Sequence, residues 1–144
     1  MMIILMTSCD HVYKVYDKKT FSSYMWHAGD EVIFKPKIDD ASSSYKLTLG
    51  IRHHYGVQFE SINVTITTTS PSGKKTSKDL LVQIRSVGGA YVAKCAGDLC
   101  DLEVVFDEKF KFDEVGTYTI GVKQNEAGHV PGIMEVGLIV DKAE

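Results

Sequence analysis

The three cysteines carry the most readily used chemistry in the chain, and their positions divide it between two tasks. Cys9 ends the apolar run Met1-Met2-Ile3-Ile4-Leu5-Met6-Thr7-Ser8 and is followed at once by the polar Asp10-His11. Met6-Thr7-Ser8-Cys9 resembles a lipobox, in which small residues precede a cleaved bond and the cysteine thiol receives a diacylglycerol. Thr7 and Ser8 are suitably small, although Met6 stands where leucine is commoner. A membrane-spanning helix needs about 20 apolar residues, and a complete signal peptide about 15–30 with a basic leading region. The run fits neither and reads as the tail of a signal peptide that starts upstream of Met1. A rival reading makes it an apolar strand ending in a buried cysteine, but the abrupt break at Cys9 favours the anchor.

With Cys9 acylated, Cys95 and Cys100 remain as a pair that an oxidising periplasm would allow to bridge. So short a ring is worth roughly 2 kcal/mol by chain entropy, less any strain; two free buried thiols are the alternative. Structural zinc usually takes four ligands, and these two cysteines have no histidine near them in sequence. No metal is expected.

Other eye-catching residues have plainer explanations. In Arg52-His53-His54 a strand would send the two imidazoles to opposite faces, so they cannot readily chelate one ion, and a solvated strand end is expected. Asp98, Asp101, Glu103 and Asp107 offer oxygens, but calcium needs six to eight, and a solvated acidic stretch is the expectation. Trp26, the only tryptophan, could be a platform for a sugar or a partner; core or rim packing suits a large aromatic better. Asn63-Val64-Thr65 matches the glycosylation acceptor pattern by coincidence. No serine elbow, zinc helix motif, phosphate loop or dinucleotide fingerprint occurs. Neither catalytic residues nor a cofactor are expected.

The elements that must position these residues are strands. Val32, Phe34 and Ile38 alternate with charged residues; Tyr45, Leu47, Leu49 and Ile51 do the same, and Ile62, Val64 and Ile66 give the clearest period of two. Ser70-Pro71-Ser72-Gly73-Lys74 supplies turn chemistry before Leu80, Val82 and Ile84 resume the alternation. A long loop is expected over 86–101, with a short strand at Tyr91 to Ala93. Leu102, Val104 and Phe106, then Tyr118, Ile120 and Val122, then Val136, Leu138 and Val140 complete the pattern. Seven or eight strands, each with one apolar face to cover, predict an all-β antiparallel sandwich, immunoglobulin-like or jelly-roll-like. Asp113, Gly116 and Tyr118 resemble the corner at which an immunoglobulin-like chain turns into a strand, where a tyrosine hydroxyl bonds back to upstream backbone. The division expected is a signal-peptide remnant at 1–8, a lipidated tether at 9–20 that can add a first edge strand, and one sandwich domain at 21–144.

Composition excludes other classes. At 144 residues one core suffices, and 44% hydrophobic with 24% charged residues is ordinary for a folded domain. A net charge of -3 without long runs of either sign leaves no footprint for nucleic acid.

Tyr45-Lys46-Leu47-Thr48-Leu49-Gly50-Ile51-Arg52-His53, Ile62-Asn63-Val64-Thr65-Ile66 and Thr69-Ser70-Pro71-Ser72-Gly73 resemble the gliding-motility lipoprotein GldH family. So do Gly97-Asp98-Leu99, Phe112, Gly116-Thr117-Tyr118-Thr119, Gln124, Pro131-Gly132-Ile133 and Val136-Gly137, in the family's order. The resemblance implies a lipid-anchored protein of the outer membrane without enzyme activity, acting with the envelope machinery that moves adhesins and secretes proteins. Two departures stand out: Asn125-Glu126-Ala127 where the family commonly carries Met-Arg, and Cys100 where an aromatic is expected. The leading functional expectation is therefore a surface that docks other envelope proteins, with a glycan- or peptide-binding module as the alternative. A flat apolar patch would favour docking, and a groove of exposed aromatics the module.

Overall fold

The computed structural model describes residues 11–144; Cys9 and the expected signal remnant lie outside the described residues. The strands in chain order are β1 (Tyr13–Asp17), β2 (Met25–Trp26), β3 (Glu31–Phe34), β4 (Lys37–Ile38), β5 (Ser44–His54), β6 (Ser61–Thr69) and β7 (Lys75–Gln83). They continue as β8 (Lys94–Ala96), β9 (Leu99–Lys111), β10 (Gly116–Thr117), β11 (Thr119–Gln124), β12 (Val130–Pro131) and β13 (Ile133–Lys142). Every pairing among the described residues is antiparallel.

The pairing is nested. Among the eight longest strands, first pairs with last (β1 with β13), second with seventh (β3 with β11), third with sixth (β5 with β9), and fourth with fifth (β6 with β7). That wrapped-hairpin order is a jelly roll, and it decides against the immunoglobulin alternative. It yields a sheet β1-β13-β5-β9-β8 packed on a sheet β3-β11-β6-β7, with β2-β12 and β4-β10 as two-stranded closures at opposite ends. The period-two faces meet between the sheets: Leu47, Leu49, Ile51, Val136, Leu138 and Val140 from one, and Ile62, Val64, Ile66, Ile120 and Val122 from the other, are buried. Trp26 lies fully in this core, with its indole N–H donating to the Asp30 carbonyl at 3.0 Å.

The segment expected as a tether contributes β1, whose docking has a local cause. Tyr16 lies across Gly137 of β13 and Gly50 of β5, and a Cβ on either glycine would collide with its ring. An aromatic covering bare glycine backbone replaces the side-chain contacts those positions lack.

The stretch 86–101 departs from expectation. It holds β8 at 94–96, not a strand at 91–93, and β9 begins at Leu99 instead of Leu102. Ala96 pairs with Leu99 around Gly97-Asp98, with Gly97 at φ 61°, so a two-residue turn closes a hairpin. Leu99 to Asp101 lack a clean alternation of their own. They become strand because His54, His53 and Arg52 of β5 pair with them on one side and β8 on the other.

Candidate functional site

The jelly roll has two ends, and its chemistry divides between them. At one end converge the loops around 18–30, 55–60, 84–98 and 125–132; at the other, the chain entering β1, the turn 39–43, the hairpin tip 70–74 and the corner 112–118.

The first end carries a shallow apolar concavity lined by His54, Tyr55, Gly56, Val57, Phe59 and Pro131, with Gln58 and Gly132 completing it. Loop backbone cannot pair with itself as a ladder does, so side chains hold it. Arg85 donates from Nη2 to the Val57 carbonyl at 2.5 Å and to the Tyr91 hydroxyl at 3.0 Å, and from Nη1 to the Gly89 carbonyl at 2.9 Å. Its guanidinium carbon lies 4.5 Å from the centre of the Tyr91 ring, a cation–π contact. The Tyr91 hydroxyl accepts from the Gly56 N–H at 2.7 Å and donates to the Val57 carbonyl at 3.1 Å. Tyr55 N–H donates to the Asp98 carbonyl at 2.8 Å, tying this loop to the β8–β9 turn.

Two aromatic rings project from the resulting frame. Tyr55 is 61% exposed and packs edge-on against Tyr91. Tyr24 is 53% exposed, stands edge-on to His54 at 5.1 Å, and holds a left-handed backbone at φ 55°. For a bulky residue that conformation costs on the order of 1 kcal/mol. It is over-determined here: Tyr24 N–H donates to the Phe21 carbonyl, Gly132 N–H to the Tyr24 carbonyl and His54 N–H to the Gly132 carbonyl, at 2.8, 2.8 and 2.9 Å. Beside them Val87 stands fully exposed in the loop, and Val92 and Leu99 are also partly bare.

Of the residues singled out in the sequence, the histidine pair needs correction. His53 and His54 do face opposite ways, but His53 is fully buried, not solvated. Its strand position pairs with Cys100, and the Tyr91 ring covers it at 5.4 Å. Nδ1 faces the His54 carbonyl at 2.9 Å and Nε2 has no partner among the described residues, so burial pushes the imidazole pKa down. The acidic residues do not converge. Asp98 sits in the β8–β9 turn, Asp101 accepts from Arg52 at 2.8 Å on the outer sheet face, and Asp107 caps the Lys109 N–H at 3.0 Å. Cys95 and Cys100 are cross-strand neighbours in β8 and β9 with Cα atoms 4.0 Å apart, and the structure joins their sulfurs. Cys9 lies outside the described residues.

Asn125 and Glu126 are absorbed into the fold. Glu126 accepts from the Asn63 N–H at 2.7 Å, and the Asn125 N–H donates to the Asn63 carbonyl at 2.8 Å. Tyr55 and Arg85 have no role legible in the sequence, and Tyr91 only the start of a short strand, because loop residues carry no periodicity. A tyrosine and an arginine within a glycine-bearing loop are the only signal there.

Residues 12–140 match the family model described as GldH lipoprotein. The gliding motility lipoprotein GldH homolog of Christiangramia forsetii is 30% identical over 96% of this chain and 86% of its own length. The gliding motility lipoprotein GldH of Flavobacterium johnsoniae is 26% identical over the same shares. Among solved structures, the CBM35 module of Cellvibrio japonicus Abf62 aligns with 81% of this chain and 72% of its own at 19% identity and a TM-score of 0.36. A family match over residues 12–140 and a relative 30% identical across nearly the whole chain lead to one conclusion: this chain belongs to the GldH lipoprotein family.

Proposed function

We propose that this lipoprotein is held in the outer membrane by lipid on Cys9 and serves there as a non-catalytic docking component, binding a protein partner at its aromatic end. The apolar concavity flanked by Tyr24 and Tyr55 carries this reading. It is preorganised by Arg85 and Tyr91, its lining is apolar except for His54 and Gln58, and the loop 84–98 at the same end exposes Val87 and Val92. Rigid aromatic anchors around an apolar depression suit an aliphatic or aromatic side chain on a partner, where desolvation supplies the affinity. A photo-crosslinking residue at Tyr55 in living cells tests the reading, with Lys75 on exposed β7 as control. Crosslinks to one envelope protein from position 55 alone are expected; crosslinks from neither, or equally from both, refute it.

The two exposed tyrosine rings favour one second reading, a glycan stacked on Tyr24 and Tyr55. Retardation of the protein in a polysaccharide gel, abolished by Tyr55→Ala, would favour it.

A further inference from the structure

We infer that the described body rides directly on the bilayer, end-on, so that the 112–118 corner and 39–43 turn face the lipid and the aromatic end points away from it. The inference rests on the lipid anchor at Cys9 and adds the orientation which that anchor imposes. Its basis is how little chain is free. Val12 N–H donates to the Val140 carbonyl at 2.9 Å, continuing the β1–β13 ladder. One residue earlier, His11 Nδ1 lies 2.5 Å from the Asp141 carboxylate. Only Asp10 then separates His11 from Cys9. Two residues of extended chain span about 7 Å at most, so the acylated cysteine can reach no farther than that from His11, which sits beside Asp141 of β13.

The place where the chain is pinned sets which end meets the membrane. β1 starts where β13 ends, where β5 begins and where β9 stops. The anchor therefore leaves from the rim that also carries Val115, 57% exposed in the corner after β9, and the exposed Val12. The aromatic end lies at the other extreme of these strands. From Lys142 back to Ile133 β13 has ten residues, which at strand rise separates the two ends by about 30 Å. A tether so short cannot let the body turn over, and it holds Tyr24 and Tyr55 beyond the headgroups, open to a partner in the aqueous space. A docking end buried in lipid would be useless; one on a long free linker would wander.

Fluorescence quenching in lipidated protein decides the orientation. Mature protein from cells, with Cys95 and Cys100 left bridged, carries one fluorophore at Val115→Cys, Val87→Cys, Ile33→Cys or Val105→Cys, each an exposed position. Vesicles of phosphatidylethanolamine and phosphatidylglycerol contain a headgroup-attached nitroxide quencher. Strong quenching at 115 is expected, with none at 87 and little at 33 or 105 on the two sheet faces. A flexible Gly-Ser segment inserted between Asp10 and His11 should abolish the difference. Equal quenching at 115 and 87, or strongest quenching on either sheet face, overturns the orientation while leaving the anchor intact. If the protein fails to float with the vesicles, the anchor on Cys9 is refuted and the orientation with it.

Discussion

Both ends of the jelly roll carry a cluster of aromatic rings and a tyrosine hydroxyl that staples a loop, yet only the far end, which also buries Phe21 and Trp26, turns tyrosine rings outward. At the anchor end Tyr45, Phe110, Phe112 and Tyr118 stack edge to face at 4.7 to 5.2 Å, and Tyr45, Phe112 and Tyr118 are buried. Tyr118 donates to the Glu114 carbonyl at 2.9 Å and accepts from the Glu114 N–H at 3.0 Å, the corner expected from Asp113, Gly116 and Tyr118. Glu114 in turn takes the Ser72 N–H at 2.6 Å, tying this corner to the β6–β7 turn. At the far end Tyr91 makes the equivalent staple, but Tyr24 and Tyr55 turn outward. The same residue type closes a core at one end and leaves an apolar surface open at the other. Burial stabilises the fold; on the proposed reading, a docked partner covers the open rings.

Breaking the attachment of the anchor end should have the largest effect. The described core strands begin at Tyr13, so Cys9→Ser should move the protein wholly from membrane pellet to soluble fraction with thermal unfolding nearly unchanged, since the several acyl chains of a lipidated cysteine make release negligible. Cell fractionation with a melting curve checks both halves, and a variant that stays in the pellet through a high-salt wash contradicts the anchor. Next comes the inward cluster: Phe112→Ala should cost about 3–5 kcal/mol in denaturant unfolding, because it empties the centre of four packed rings. A loss no larger than that of a surface residue would dissolve the contrast between the ends.

The Cys95–Cys100 link should contribute roughly 2 kcal/mol or less, because the ring it closes is short. Alkylation of freshly extracted protein without reductant should leave both thiols unmodified, and labelling of both would refute the bridge. Acidity separates the ends by titration. The His53 pKa is depressed below its ordinary 6.5, so the unfolded chain binds the proton more readily. Stability is then full above pH 6.5 and falls as the pH drops through and below it. Asp40, at the anchor end, is depressed by the hydroxyls of Ser42 and Ser43 and the Ser42 N–H, so its contribution persists down to its ordinary 3.8 and is lost only below that. Unfolding followed at pH 7, 6 and 5 should show the loss between 6.5 and 5 in the native protein and none in His53→Gln. The smallest effect on stability belongs to Tyr55→Ala, expected within about 0.5 kcal/mol of the native protein, while affinity capture of the partner disappears.

Periodicity made the sandwich legible because each inward-facing position of a half-buried strand must be apolar, and Leu47-Leu49-Ile51 or Ile62-Val64-Ile66 display that directly. Trp26 in the core and the Tyr118 corner follow from the same local rules of size and turn chemistry. Local rules reached no further at the aromatic end. The start of β9 and the whole of β8 exist because His53 and His54, some 45 residues away in the chain, offer an unpaired edge to Leu99 and Cys100. For the same reason His53 is a buried base and not a solvated one: nothing in Arg52-His53-His54 announces that Tyr91 will lie over it. Arg85, Tyr91 and Tyr55 meet through loops whose conformations are set by hydrogen bonds to distant carbonyls, a signal that leaves no repeat in the chain. The sequence by itself determined that there would be strands and two apolar faces to join, and it offers Cys9 for the proposed lipid. Nested pairing alone decided jelly roll over immunoglobulin order, and it set the start of β1 and the exposed tyrosines at opposite ends, because which strand edges meet depends on contacts far apart in the chain.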